Sequence, residues 1–323
     1  MFTSRKCFVL LVLLFIIGCA PPLPEPPARS ASDPVQSPAP QVLPTETAVP
    51  NLEATIEETN VDDTAVSDET IAATSEATYM PLVTSTTDCP TDTFISVQPH
   101  PANSSYPDPV LEVTCTDTEM IIHTNNIPNF EFVSITPNSL QAHDFIFTLP
   151  LEPTVANSPT DVPLGGASAI AVNGLVIFGP TEAPQTGYRD PYLDQILDYC
   201  NGHTAPGGIY HFHARPDCIY EDIDGQVGLV LAYAFDGHPI LAPFICADTA
   251  CNTVTELQSS WQDVNPTLSN AWERHAYVAG SGDLDECNGL TLADGSYVYF
   301  ATDTFPYFMG CYRGTVTTNN LIR

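Results

Sequence analysis

From about residue 87 onward, short β-branched and aromatic runs alternate with proline, glycine and asparagine. The runs Glu131 to Ile135, Asp144 to Leu149, Ala169 to Phe178, Gly228 to Phe235 and Tyr297 to Phe300 have the length and composition of strands, and the residues between them are turn formers. The segment Tyr192 to Tyr199 predicts a short helix leading into Cys200. The pattern therefore predicts a mainly β domain over residues 87–323, sandwich or barrel-like, and long enough to enclose a core.

The most informative pattern is an internal repeat. Residues 197–214, LDYCNGHTAPGGIYHFHA, align without gaps on residues 284–301, LDECNGLTLADGSYVYFA, and half the positions are identical. Upstream of each copy lies a second matched pair, the decapeptides Ala171 to Pro180 and Ala234 to Pro243. The order is the same both times, so the domain reads as two related halves, about 164–218 and 227–311. The second half carries an insertion with Cys246, Cys251, Trp261 and Trp272.

Position by position, the two copies differ in one chemical respect. Tyr210 and Phe212 match Tyr297 and Tyr299, so one strand face is aromatic in both. On the other face His211 and His213 match Val298 and Phe300, and His203 matches Leu290. Replacement of all three histidines by apolar residues implies an interior position, where an imidazole needs a partner, and implies that the three act together. Three converging imidazoles suit zinc or copper, with a fourth position left to water or filled by Asp198, Asp217, Asp236 or His238. The alternative is that they hydrogen-bond to backbone and pack without metal. His100, His123, His143 and His275 are scattered and receive no role.

The N-terminal region differs from the domain. Arg5 and Lys6 precede an apolar run from Phe8 to Ile17 that ends in Gly18-Cys19, the pattern of a signal peptide over residues 1–18. Its end resembles the lipobox of bacterial lipoproteins, which implies acylation of Cys19 and attachment to a membrane of the cell envelope on its extracytoplasmic side. Residues 19–86, rich in Pro, Ala, Thr, Ser, Val and Glu, have too little apolar surface to offset their ordering entropy and are expected to be a disordered spacer.

Eight further cysteines in an exported chain imply disulfides. Spacing favours local pairs: Cys89 with Cys115, Cys200 with Cys218, Cys246 with Cys251, and Cys287 with Cys311. The net charge of -31 excludes a generic nucleic-acid binder, which needs a basic footprint. Expected partners are instead a metal ion or small extracellular ligand, and the membrane through the lipid anchor.

The stretches CNGHTAPGGIYHFHA, YAFDGHPILAP and LDECNGLTLADGSYVYFATDTFPYFMGCYRG, with NNIPNFEF upstream, resemble the YHYH domain, covering most of residues 110–314. The family's motif corresponds to Tyr210, His211, Phe212 and His213, with Phe212 departing from its second tyrosine. His238 stands where the family's Asp-Gly-x-Pro-Ile segment implies an aromatic. The resemblance implies a fold and an exported habit, whereas the metal reading comes from the residues themselves.

Other function classes remain open at this stage. Trp261, Trp272, Tyr277, Tyr297, Tyr299, Phe305, Tyr307 and Phe308 could line a carbohydrate or peptide site in a binding module with structural histidines. A metal-dependent hydrolase or oxidase would use the three-histidine site, although no Gly-x-Ser-x-Gly elbow, His-Glu-x-x-His helix or phosphate loop occurs. Asp222 to Gly225 is not an EF-hand, because Tyr220 and Leu231 occupy ligand positions.

Overall fold

The computed structural model describes residues 89–321. The expected signal segment, Cys19 and the spacer lie outside the described residues. The domain is mainly β, with its strands in chain order as follows. The first eight are β1 (Leu111–Cys115), β2 (Glu119–Thr124), β3 (Phe145–Pro150), β4 (Val155–Asp161), β5 (Ala167–Ala171), β6 (Val176–Phe178), β7 (Gly202–Thr204) and β8 (Tyr210–Phe212). Then come β9 (Val230–Ala234), β10 (Pro239–Leu241), β11 (Phe244–Cys246), β12 (Val254–Glu256), β13 (Trp261–Asp263), β14 (His275–Tyr277), β15 (Gly289–Thr291), β16 (Tyr297–Phe300) and β17 (Cys311–Gly314).

An eight-stranded sheet in the order β15-β16-β10-β9-β5-β6-β8-β7 organises the molecule. Its pairings are mirrored about the centre. β5 pairs antiparallel with β9, β6 and β10 fold back on them, β8 and β16 add in parallel, and β7 and β15 close the edges. At the centre Ile170 faces Tyr233. The matched decapeptides make these two residues repeat mates, so a local two-fold axis passes between them. The sequence duplication is thus a spatial symmetry. Every residue of β5 and β9 is buried, which is why both read as unbroken apolar runs instead of alternating ones.

The run Ala169 to Phe178, expected as one strand, is a hairpin. Gly174, at φ +81°, donates its N–H to Ala171 O at 2.8 Å, and its repeat mate Gly237, at φ +90°, does the same to Ala234 O. That backbone conformation turns the chain where a continuous strand would run on. Two other expected elements do not form. Glu131 to Ile135 joins no ladder, because the Phe132 N–H is taken by the Asn103 side chain and its neighbours are exposed or half-buried. Tyr192 to Tyr199 makes turns only: Asp190 caps the N–H groups of Tyr192 and Leu193, and Gln195 at φ +56° leaves the right-handed helical region.

The antiparallel sheet β1-β2-β3 packs on the main sheet through Phe147 against Phe235, ring centroids 5.3 Å apart, and in the segment between β2 and β3 Phe130 packs against Tyr210 and Phe212. Four disulfides staple the domain, Cys89–Cys115, Cys200–Cys218, Cys246–Cys251 and Cys287–Cys311. The Cys200 and Cys287 bridges stand at matched places, each just before the edge strand of its half. In the insertion Trp261 and Trp272 lie 4.9 Å apart and both pack on Phe305, while Tyr297, Tyr299, Phe305, Tyr307 and Phe308 are buried. These aromatics are used in packing.

Candidate metal centre

The β7–β8 hairpin gathers the three histidines. His203 and His211 are direct cross-strand partners, and His213 follows two residues beyond His211 on the same face. The turn between the strands is tight because Gly207 and Gly208 adopt φ +90° and +86°. All three imidazoles are buried, their ring centroids lie 4.7 to 5.1 Å apart, and their ligand atoms are within 4.8 Å of one another. Phe178 stacks on His211 at 3.8 Å and fixes its plane.

Each ring is oriented by a backbone carbonyl. His203 Nδ1 lies 2.9 Å from Ile196 O, His211 Nδ1 3.2 Å from Ile209 O, and His213 Nδ1 3.0 Å from Gly179 O. A carbonyl oxygen only accepts, so every Nδ1 carries its hydrogen and every Nε2 is left with a lone pair. Metal-binding histidines are held in the same way. Yet His211 Nε2 and His213 Nε2 are 2.9 Å apart, close enough that two lone pairs repel unless a positive charge lies near them. A proton is poorly suited to supply it. Burial and the neighbouring imidazoles push His211 well below the usual histidine range, and burial with His203 pushes His213 down to about 3. A metal ion would resolve the conflict: four-coordinate bonds of about 2.0–2.1 Å place neighbouring nitrogens about 3.3 Å apart, a few tenths of an ångström more than the separation of His211 and His213.

Glu182 joins the site and was missed by the sequence reading. Its Oε1 is 3.0 Å from His203 Nε2 and 3.6 Å from His213 Nε2. Burial acts to raise its pKa and is outweighed by His203 and His213 beside it, which hold the group below the usual carboxylate range. With Nε2 of His203 carrying a lone pair, the two atoms face each other as acceptors with no hydrogen bond between them. A signal for it was present in the sequence. Extending the matched decapeptides by two residues sets Glu182 against Ile245, one more polar group of the first half opposite a hydrocarbon of the second.

The other candidates are engaged elsewhere. Asp198 accepts from the Tyr210 hydroxyl at 2.8 Å and from the N–H groups of Cys200 and Gly202, and Asp217 pairs with Arg215 at 2.7 Å. Asp236 accepts from the Tyr299 hydroxyl at 2.6 Å and from Gly314 N–H. His238 donates from Nδ1 to Tyr297 O at 2.9 Å. In the first half the matching carbonyl, Tyr210 O, receives the Asn126 amide, whose own oxygen accepts the Val176 N–H. The residue matched to Val176 is Pro239, which has no N–H to satisfy, so a histidine that only donates suffices there. Among the remaining histidines, His123 pairs with Asp144, His275 stacks on Phe305, and His100 and His143 lie apart from the cluster.

A cleft of about 320 Å³ opens beside the three imidazoles and is walled in part by Thr136, Asn138 and Gln185. Thr136 and Asn138 both donate to Thr204 O at 2.8 Å, which ties their loop to β7. A model of the YHYH protein family matches residues 146–314, more than half of the chain, and the chain belongs to that family. Comparison with curated proteins and with solved structures gave no match.

Proposed function

We propose that this chain is an exported, lipid-anchored surface protein whose YHYH domain binds a transition metal, zinc or copper, through Nε2 of His203, His211 and His213. The observation that carries the reading is the set of tautomers: backbone carbonyls claim all three Nδ1 hydrogens, the Nε2 lone pairs of His211 and His213 face each other at 2.9 Å, and the ligand atoms of the three residues lie within 4.8 Å of one another. Imidazole nitrogen is a donor that zinc and copper both accept. Glu182 adds a negative charge at the edge of the group, and the acidic chain as a whole favours a cation.

Elemental analysis of protein prepared with its disulfides oxidised is the direct test. One equivalent of zinc or copper is expected at neutral pH, and none after His211→Val with His213→Phe. Protein that takes up neither metal would refute the proposal. The lipid anchor rests on the Gly18-Cys19 pattern, and among the described residues no helix is long and apolar enough to cross a membrane. Cys19→Ala should release the protein from membranes, whereas full retention of this variant would rule the anchor out.

A further inference from the structure

We infer that the metal centre is open on its cleft side and acts on a small uncharged ester held there, with Glu182 receiving the proton of the attacking water. The inference rests on the metal reading above. Structural metal sites are closed by four protein ligands, whereas three protein ligands with an accessible side are the mark of a reactive site. Here three imidazoles form the group and the cleft lies directly against them, lined by His203, His211 and His213 themselves.

Glu182 stands where the two meet. It lines the cleft, and its Oε1 is within 3.0 and 3.6 Å of two of the imidazole nitrogens, so water at the open side lies within its reach. The remaining lining defines the substrate class. Thr136, Asn138 and Gln185 offer neutral hydrogen-bonding groups, Phe178 and Ile209 offer apolar surface, and among the described residues no Lys or Arg lines the cleft. Beyond the metal itself, an anionic substrate would find no basic side chain in this lining and would meet the Glu182 carboxylate. About 320 Å³ is at the small end of ligand sites, which sets the size.

The reaction is hydrolysis. The water oxygen bonds to the acyl carbon while Glu182 takes one water proton. The bond from the acyl carbon to the alkoxy oxygen breaks, the same proton passes to the departing alkoxide, and a carboxylic acid and an alcohol leave. Glu182 is then a carboxylate again, and no oxidant or further reactant is consumed.

The test uses the full chain loaded with zinc, with 4-nitrophenyl acetate as the neutral probe and 4-nitrophenyl phosphate as the anionic one, and zinc content read on every sample. The wild-type protein should hydrolyse the acetate ester and leave the phosphate ester untouched. Glu182→Gln should keep its zinc and lose about 100-fold or more in kcat. The His211→Val and His213→Phe double variant should show neither zinc nor turnover. Zinc-loaded protein without turnover would overturn this inference and leave metal binding standing. So would Glu182→Gln with undiminished kcat, loss of zinc from that variant, or equal cleavage of both probes. Absence of zinc from the wild-type protein would remove this inference, and absence of copper as well would remove the metal reading with it.

Discussion

The two halves of the domain share a backbone and differ in what one face of it carries. Asp198 and Asp285 accept from the hydroxyls of Tyr210 and Tyr297, at 2.8 and 3.0 Å, and cap the N–H groups of Cys200 and Cys287 at 2.9 Å. Asn201 and Asn288 both take left-handed backbone angles, φ +60° and +67°. His203 faces His211 in the same register in which Leu290 faces Val298. Against this common frame, four polar groups of the first half, the three histidines and Glu182, stand opposite Leu290, Val298, Phe300 and Ile245.

The second half shows that the frame does not need the histidines, since hydrocarbon fills the same place and Val298 and Phe300 are fully buried. It also shows what the first half added. Gly179 O is free to accept from His213 Nδ1, whereas the matching Ala242 O already accepts the Phe244 N–H at 2.8 Å. The backbone around the histidines is therefore adapted to them, which is expected of a site and is not required of a core.

The largest expected effect tests this contrast directly. His211→Val with His213→Phe makes the first half resemble the second and should reduce bound metal from one equivalent to none, with the near-ultraviolet circular dichroism of the folded domain retained. Unfolding of this variant would mean that the two halves are less interchangeable than their register implies.

Next in size are the matched disulfides. Removing Cys200–Cys218 or Cys287–Cys311 by paired alanine substitution should each cost roughly 2–4 kcal/mol in denaturant unfolding. Loss of metal should accompany only the first, because Cys200 lies in the loop that leads into His203. Equal metal content in both variants would show that the hairpin holds its histidines without the staple.

Smaller again, about 1–3 kcal/mol, is the cost of Gly202→Ala or Gly289→Ala. A methyl group at either position meets the hydroxyl of the neighbouring tyrosine, Tyr210 or Tyr297, and the carbonyl of His211 or Val298. Both variants should lose stability to a similar degree, with metal affinity falling in Gly202→Ala alone. A large difference in melting temperature between them would break the symmetry of the comparison.

A further effect, spread over several pH units, is in the pH dependence of metal-free protein. Unfolded histidines take up protons as pH falls through about 6.5, while the folded site holds His213 neutral down to about 3 and keeps His211 depressed as well. The unfolded state thus binds more protons across that window, and stability falls as pH is lowered through it. The Val and Phe double variant should lose that part of the slope, as measured by unfolding at a series of pH values. An unchanged slope would place the protonation elsewhere.

Much of this protein was legible in the chain itself. The duplication, the mainly β class, the local cysteine pairs and the three histidines are all matters of composition and short spacing, and repeat mates compare directly without knowledge of the fold. Proximity between distant segments was set by the tertiary structure alone. Glu182 meets His203 across 21 residues of chain because β6 pairs in parallel with β8 and brings the segment after Phe178 alongside the hairpin. His238 was a candidate by residue type, but the fold assigns its Nδ1 hydrogen to Tyr297 O, a need created by the sheet. The tautomers of the site were settled in the same way. Which nitrogen of each imidazole is free depends on a carbonyl within 3.2 Å, and only the folded backbone determines where that carbonyl stands.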